Sequence, residues 1–149
     1  MNYASMTPAL WKRIDYFSPD DQIDNFGDPY RMDVNLIFGL DALRKYTGRA
    51  IVIHCGYEKR PTGFHPHGMA VDCHIVGLHP FDQFVAASRF EVFNGIGIYP
   101  KWHSPGLHLD TRPYEGRYEP EARWGCKGSG IYVPIDWNFV NWMKAAFLD

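Results

Sequence analysis

The sequence predicts an α+β domain in which a small antiparallel sheet is covered by helices on one side. Three observations carry that expectation. Three stretches repeat apolar residues at helical spacing behind capping residues, and short β-branched or alternating stretches lie between Gly- and Pro-bearing turns. The third is length: 149 residues fall in the range of one domain with a real core, so a metal would serve function rather than hold the fold together.

Taken in order, "DPYRMDVNLIFGLDALRKYTG" offers Asp28 as N-cap and Pro29 at the first helical position. Met32, Leu36, Leu40 and Leu43 recur along one face, and Gly48 can close the end. "RAIVIHC" reads as a largely buried strand over Ala50 to Cys55, because β-branched residues dominate a run too short for a helix. A second strand over Ala70 to Ile75 follows "GYEKRPTGFHPHG". Pro80 to Arg89 reads as a helix with Phe81, Phe84, Val85 and Ser88 on one side, and "GIGIYP" and "GLHLDTR" read as two more strands. Pro113 to Gly130, rich in Gly, Pro and charge, reads as a long loop with room for a short strand. The last helix starts at Asp136 as N-cap and turns Phe139, Val140, Met143 and Phe147 inward. No internal repeat divides the chain.

Composition narrows the function classes. A charge of -2 provides no basic footprint for nucleic acid, and no window reaches the roughly 18 apolar residues of a membrane span. The start "MNYASMTPALWKRIDYF" lacks the charged leader and apolar run of a secretory signal, so cytoplasmic synthesis without a signal peptide or membrane insertion is expected. The aromatic residues, 16% of the chain, are enough to line a groove for an extended polar ligand as well as fill a core. Cys55, Cys73 and Cys126 form an odd set without CxxC spacing, which argues against a disulfide framework and a Cys-based zinc site; they read as buried free thiols.

"GFHPHGMAVDCHI" concentrates three histidines, an aspartate and a cysteine in residues 63–75. Residues two apart on a strand share a face, which groups Asp72 with Ala70 and His74, and His108 with Asp110 and Arg112. If the two strands are neighbours, Asp72 and His108 converge and His65 reaches the same point from the preceding loop. Two imidazoles and a carboxylate suit a catalytic zinc with one open position. Seven histidines in such a chain also produce some clustering by chance, so spacing alone leaves the matter open.

"HPHGMAVD" resembles the H-x-x-G-x-A-x-D segment of the D-alanyl-D-alanine carboxypeptidase family of zinc peptidases, whose fold is shared with the hedgehog signalling domain; His65, Gly68, Ala70 and Asp72 fall on its four specified positions. "GIGIYPKWHSPGLHLDTR" is similar to the family's second segment, a Gly-Ile-Gly strand leading to His-x-Asp, with His108 at the third ligand. "IVIHCGYEKR" resembles the strand and Ser-Gly-Tyr-Arg turn ahead of both.

The resemblance implies a hedgehog/DD-peptidase-like fold and Zn2+ held by His65, Asp72 and His108. It also implies hydrolysis of D-amino-acid peptide bonds in peptidoglycan stem peptides, by a carboxypeptidase or an endopeptidase of the phage lysin type; a monomer is expected, apart from what the resemblance implies. Such a substrate lies outside the cytoplasmic membrane, and either a lysin released to the wall by a separate membrane-permeabilising protein or a recycling enzyme acting on imported fragments fits an unsignalled chain.

Two departures bear on catalysis. The family's general base, three residues before the last ligand, is Pro105 here, and Gly106 stands where some members have another His. Asp110 and His103 are the substitute candidates for the base. The family's Arg after Gly-Tyr is Glu58, which leaves Arg60, with Arg112 as alternative, to grip a substrate carboxylate. His67 reads as a loop residue, His74 as lying one strand step beyond the metal, His54 as part of a buried strand and His79 as a helix cap. The alternative to a peptidase is a non-catalytic metal-binding module or a phage structural module that has kept the fold.

Overall fold

The structure is a computed structural model and describes residues 4–113 and 121–146. Among the described residues four α-helices, α1 (Pro8–Trp11), α2 (Val34–Thr47), α3 (Pro80–Ser88) and α4 (Trp137–Ala146), accompany six strands: β1 (Ile51–Cys55), β2 (Ala70–Ile75), β3 (Gly95–Tyr99), β4 (Gly106–Asp110), β5 (Ala122–Gly128) and β6 (Ile131–Val133). The strands form one sheet in the order β1-β2-β4-β3-β5-β6.

That sheet is mixed rather than antiparallel, because β5 runs parallel to β3 with Gly97 opposite Trp124. β5 also corrects the reading of 113–130 as a loop: its second half is a seven-residue strand turning into β6, while residues 114–120 lie outside the described residues. Its sequence, ARWGCKG, shows no alternation, and Gly125 is small because the Phe139 ring of α4 lies where its side chain would be. Tertiary packing here overrides local preference.

The first long helix is split. Asp28 does cap, but only the 3-10 turn Pro29–Arg31; Met32 is extended, and α2 starts afresh behind Asp33. Asp33 is buried and accepts from the Leu36 amide at 3.3 Å and the Thr111 hydroxyl at 2.7 Å, so the cap also ties α2 to the end of β4. Gly48 closes α2 in the left-handed region at φ 65°. On α3 the buried positions are Pro80, Gln83, Ala86 and Ala87; Phe81 and Phe84 pack at the margin, and Val85 and Ser88 are exposed. Asp136 caps α4 through the Phe139 amide, and Phe139, Val140 and Met143 are buried as expected; Phe147 lies outside the described residues.

Alternation gives the sheet two unlike faces. Ile53, Val71, Cys73, Ile96, Ile98, Leu107 and Leu109 join Leu36, Leu40, Leu43, Ala86 and Ala87 in one aliphatic core. Burying each of the larger side chains contributes about 1.5–3 kcal/mol. The intervening residues, Asp72, His74, Gly95, Gly97, His108 and Asp110, point the other way. Among the described residues no helix is long and apolar enough to cross a membrane.

Candidate metal centre

β2 and β4 are hydrogen-bonded neighbours with Asp72 directly opposite His108, so both side chains rise from the same face. Across the other edge of β4, Gly97 pairs with His108 and Gly95 with Asp110. A Cβ on Gly97 would strike the Trp124 indole, and one on Gly95 would strike the Asp110 carboxylate. The two glycines therefore clear a shelf on which Asp110 and Trp124 lie beside the His108 ring, whose centroid is 5.3 Å from that of Trp124. His65 comes from the 3-10 turn His65–His67, closed by Gly68 at φ 67°, whose amide donates to the His65 carbonyl. Only glycine takes that conformation without strain.

The three groups meet at one oxygen. Asp72 Oδ1 is 3.4 Å from His65 Nε2 and 3.2 Å from His108 Nδ1. Each imidazole is tied on its far side: His65 Nδ1 donates to the Gly56 carbonyl at 2.7 Å, and His108 Nε2 to Asp110 Oδ2 at 2.7 Å. Those outer bonds fix the tautomers and leave Nε2 of His65 and Nδ1 of His108 with lone pairs aimed at a carboxylate. Three acceptors cannot face one another without a cation between them. Protons fill that place in the metal-free chain: burial opposes charge on His65, yet its bonds to Asp72 and Cys55 outweigh it and raise the pKa to about 9. Burial likewise opposes charge on His108, and its bonds to Asp110 and Asp72 raise its pKa. Burial alone would raise the Asp72 pKa, but the two histidines hold it well below the usual carboxylate range.

Ligand bonds of about 2.0–2.2 Å at tetrahedral angles separate ligand atoms by roughly 3.3 Å, close to the two separations from Asp72 Oδ1.

Cys55 is the residue that the sequence misplaced. Strict alternation would put it with Ile51 and Ile53 in the core. A bulge between Ile53 and Cys55 instead sets Cys55 opposite Asp72, and only Cys73 and Cys126 are buried. Ligand atoms of Cys55, His65 and Asp72 all lie within 4.8 Å of one another; His108 is outside that grouping and touches it at Asp72 Oδ1, 3.2 Å from its Nδ1. The Cys55 thiol donates to Glu58 Oε2 at 3.1 Å and receives Arg60 Nη2 at 3.6 Å. A cysteine thus stands at the site although the chain has no CxxC spacing, which corrects the expectation of three buried, uninvolved thiols.

The remaining expected residues separate. Asp110 is fully buried behind His108, and both its oxygens are engaged by Arg112, at 2.8 and 2.7 Å, so it positions the imidazole and has no free edge toward the Asp72 side. Arg112, spent on Asp110, also lies against the Phe64 and Trp124 rings. Arg60 pairs with Glu58 at 2.6 Å, half in solvent. His103 borders a cleft of about 360 Å³ that it shares with His54, Asp72, Trp102 and Ser104. His54 is exposed rather than buried, because alternation from Ile51 and Ile53 turns it to the outer face, where it meets His74, Nε2 to Nδ1 at 2.6 Å. His79 caps α3 by accepting from the Phe81 amide, and His67 is exposed.

No family model, curated protein or solved structure matches this chain. The chemistry of the centre has to be read from its own atoms.

Proposed function

We propose that the chain is a zinc-dependent peptidase hydrolysing D-amino-acid-containing bonds in peptidoglycan stem peptides, as a D-Ala-D-Ala carboxypeptidase or an endopeptidase. One observation carries the metal: two imidazoles, each anchored through its outer nitrogen, turn their other nitrogens on the same Asp72 oxygen. Two nitrogens and a carboxylate form a zinc-class donor set, and the three motif segments supply the peptidase reading.

His65, Asp72 and His108 would hold the ion. A zinc ion there supplies Lewis acidity, for activating water and polarising a carbonyl. The cleft beside Asp72 receives the peptide, with Trp102 as an apolar wall. His103 sits on that wall and is the side chain placed to accept a proton and return it to the leaving amine, a task open to imidazole at neutral pH. Arg60 reaches Cys55 Sγ at 3.6 Å, and it must exchange Glu58 for a substrate carboxylate. Asp110 and Arg112 hold His108 in orientation.

Defined stem peptides test this. Zinc-loaded protein should release D-Ala from a pentapeptide or cut a cross-linked wall fragment, and a chelator should stop it. Loaded protein inert on both would leave a metal-holding module without turnover, the reading favoured by Pro105 in place of an acid near His108.

A further inference from the structure

We infer that Cys55 is the fourth ligand of this centre, so that the reduced chain holds a zinc-class cation in a closed shell of one thiolate, two imidazoles and one carboxylate, with sulfur where a water would otherwise stand. The inference rests on the metal-binding part of the proposed function, and it adds a residue that the spacing of the motifs does not point to.

Three features of the chain lead there. The β1 bulge places two residues, His54 and Cys55, against the single residue Asp72, which turns the thiol out of the core and onto the ligand face. The thiol then lies in a tight group with His65 and Asp72, their ligand atoms all within 4.8 Å of one another. The sulfur also has polar neighbours on its outer side: the thiol donates to Glu58 Oε2 at 3.1 Å, and Arg60 Nη2 stands 3.6 Å away.

The chemistry has consequences for the ion. Thiolate is a preferred zinc ligand, and a fourth protein ligand converts an open site into a closed one. One carboxylate and one thiolate together neutralise a divalent charge, which weakens the pull on any water or carbonyl. The peptide cleft next to Asp72 then becomes productive when Cys55 swings off the metal. Gly56, directly after Cys55, is buried, and the exposed residues 58–61 come after it.

Cobalt(II) gives a readout that needs no turnover. Metal-free protein loaded with one equivalent should show near-ultraviolet thiolate-to-cobalt charge-transfer absorption. Cys55→Ser should lose that band, still take up one equivalent, and bind about ten-fold or more weakly. Cys126→Ser, changed at a buried thiol outside the group, should keep the band. A wild-type protein that binds one equivalent without the band overturns the assignment of Cys55 and leaves the His-Asp centre standing, and this needs no variant to fold. Retention of the band in Cys55→Ser, with circular dichroism unchanged, overturns it as well. A wild-type protein that takes up no cobalt overturns both the assignment and the metal-binding part of the proposed function.

Discussion

Two histidine clusters share one face of the sheet and differ in what surrounds them. His54 and His74 stack at 4.8 Å between centroids and meet nitrogen to nitrogen at 2.6 Å. One shared proton satisfies that pair, and burial together with the charge of His54 lowers the pKa of His74. His65 and His108 are deeper, 3% exposed in the first case, and each spends its outer nitrogen on a fixed acceptor before turning to Asp72. Closeness is common to both clusters. Anchoring from behind belongs to one, and it turns the second nitrogen of each imidazole on the same carboxylate oxygen.

Breaking that contrast at its middle should have the largest effect. Asp72→Ala removes the oxygen on which both imidazoles converge, and zinc affinity should fall by roughly a thousand-fold or more in a competition titration with a chelator of known strength. Next, Asp110→Ala leaves the ligands in place but frees the outer nitrogen of His108; affinity should fall about 10–100-fold, with circular dichroism unchanged. An unaltered affinity would show that the Asp110 bond does not orient the ring. Gly97→Ala pushes Trp124 off the His108 edge and should cost on the order of 1–3 kcal/mol in denaturant unfolding.

The protons that occupy the metal-free centre give a pH signature. His65 titrates near 9 when folded and near 6.5 when unfolded, so its stabilising contribution is fully present below about 6.5 and is lost as pH rises through about 9. The melting point of chelator-treated protein should fall by roughly 5 °C between pH 6.5 and 9.5, and saturating zinc should flatten that slope. The smallest effect belongs to the other cluster: His74→Ala should change zinc affinity by less than about two-fold, since nothing ties its pair toward Asp72.

How much of this the amino-acid sequence disclosed follows from the range of each interaction. Strand alternation placed Asp72, His108 and Asp110 on one face, because β2 and β4 are regular and their period of two survives folding intact. The helical periodicity of α2 and α4 was legible for the same reason. Cys55 was not, since one bulged residue reverses the parity of everything around it. β5 was not, since its position is set by a parallel, non-local pairing with β3 and by the Phe139 ring. The anchor of His65 is a backbone carbonyl, Gly56, which carries no residue signature. A signal for the shelf was present but unread: alternate glycines in "GIGIYP" ahead of "LHLD" mark a strand emptied to make room for its neighbour's side chains.

Zinc titration of metal-free protein by calorimetry, run beside Asp72→Asn, bears most directly on the convergence of His65 and His108 at Asp72. One equivalent should bind the wild-type chain with release of protons, while Asp72→Asn, nearly identical in shape, should bind far more weakly. No stoichiometric binding by the wild-type chain, or equal binding by both proteins, would contradict a metal centre at Asp72.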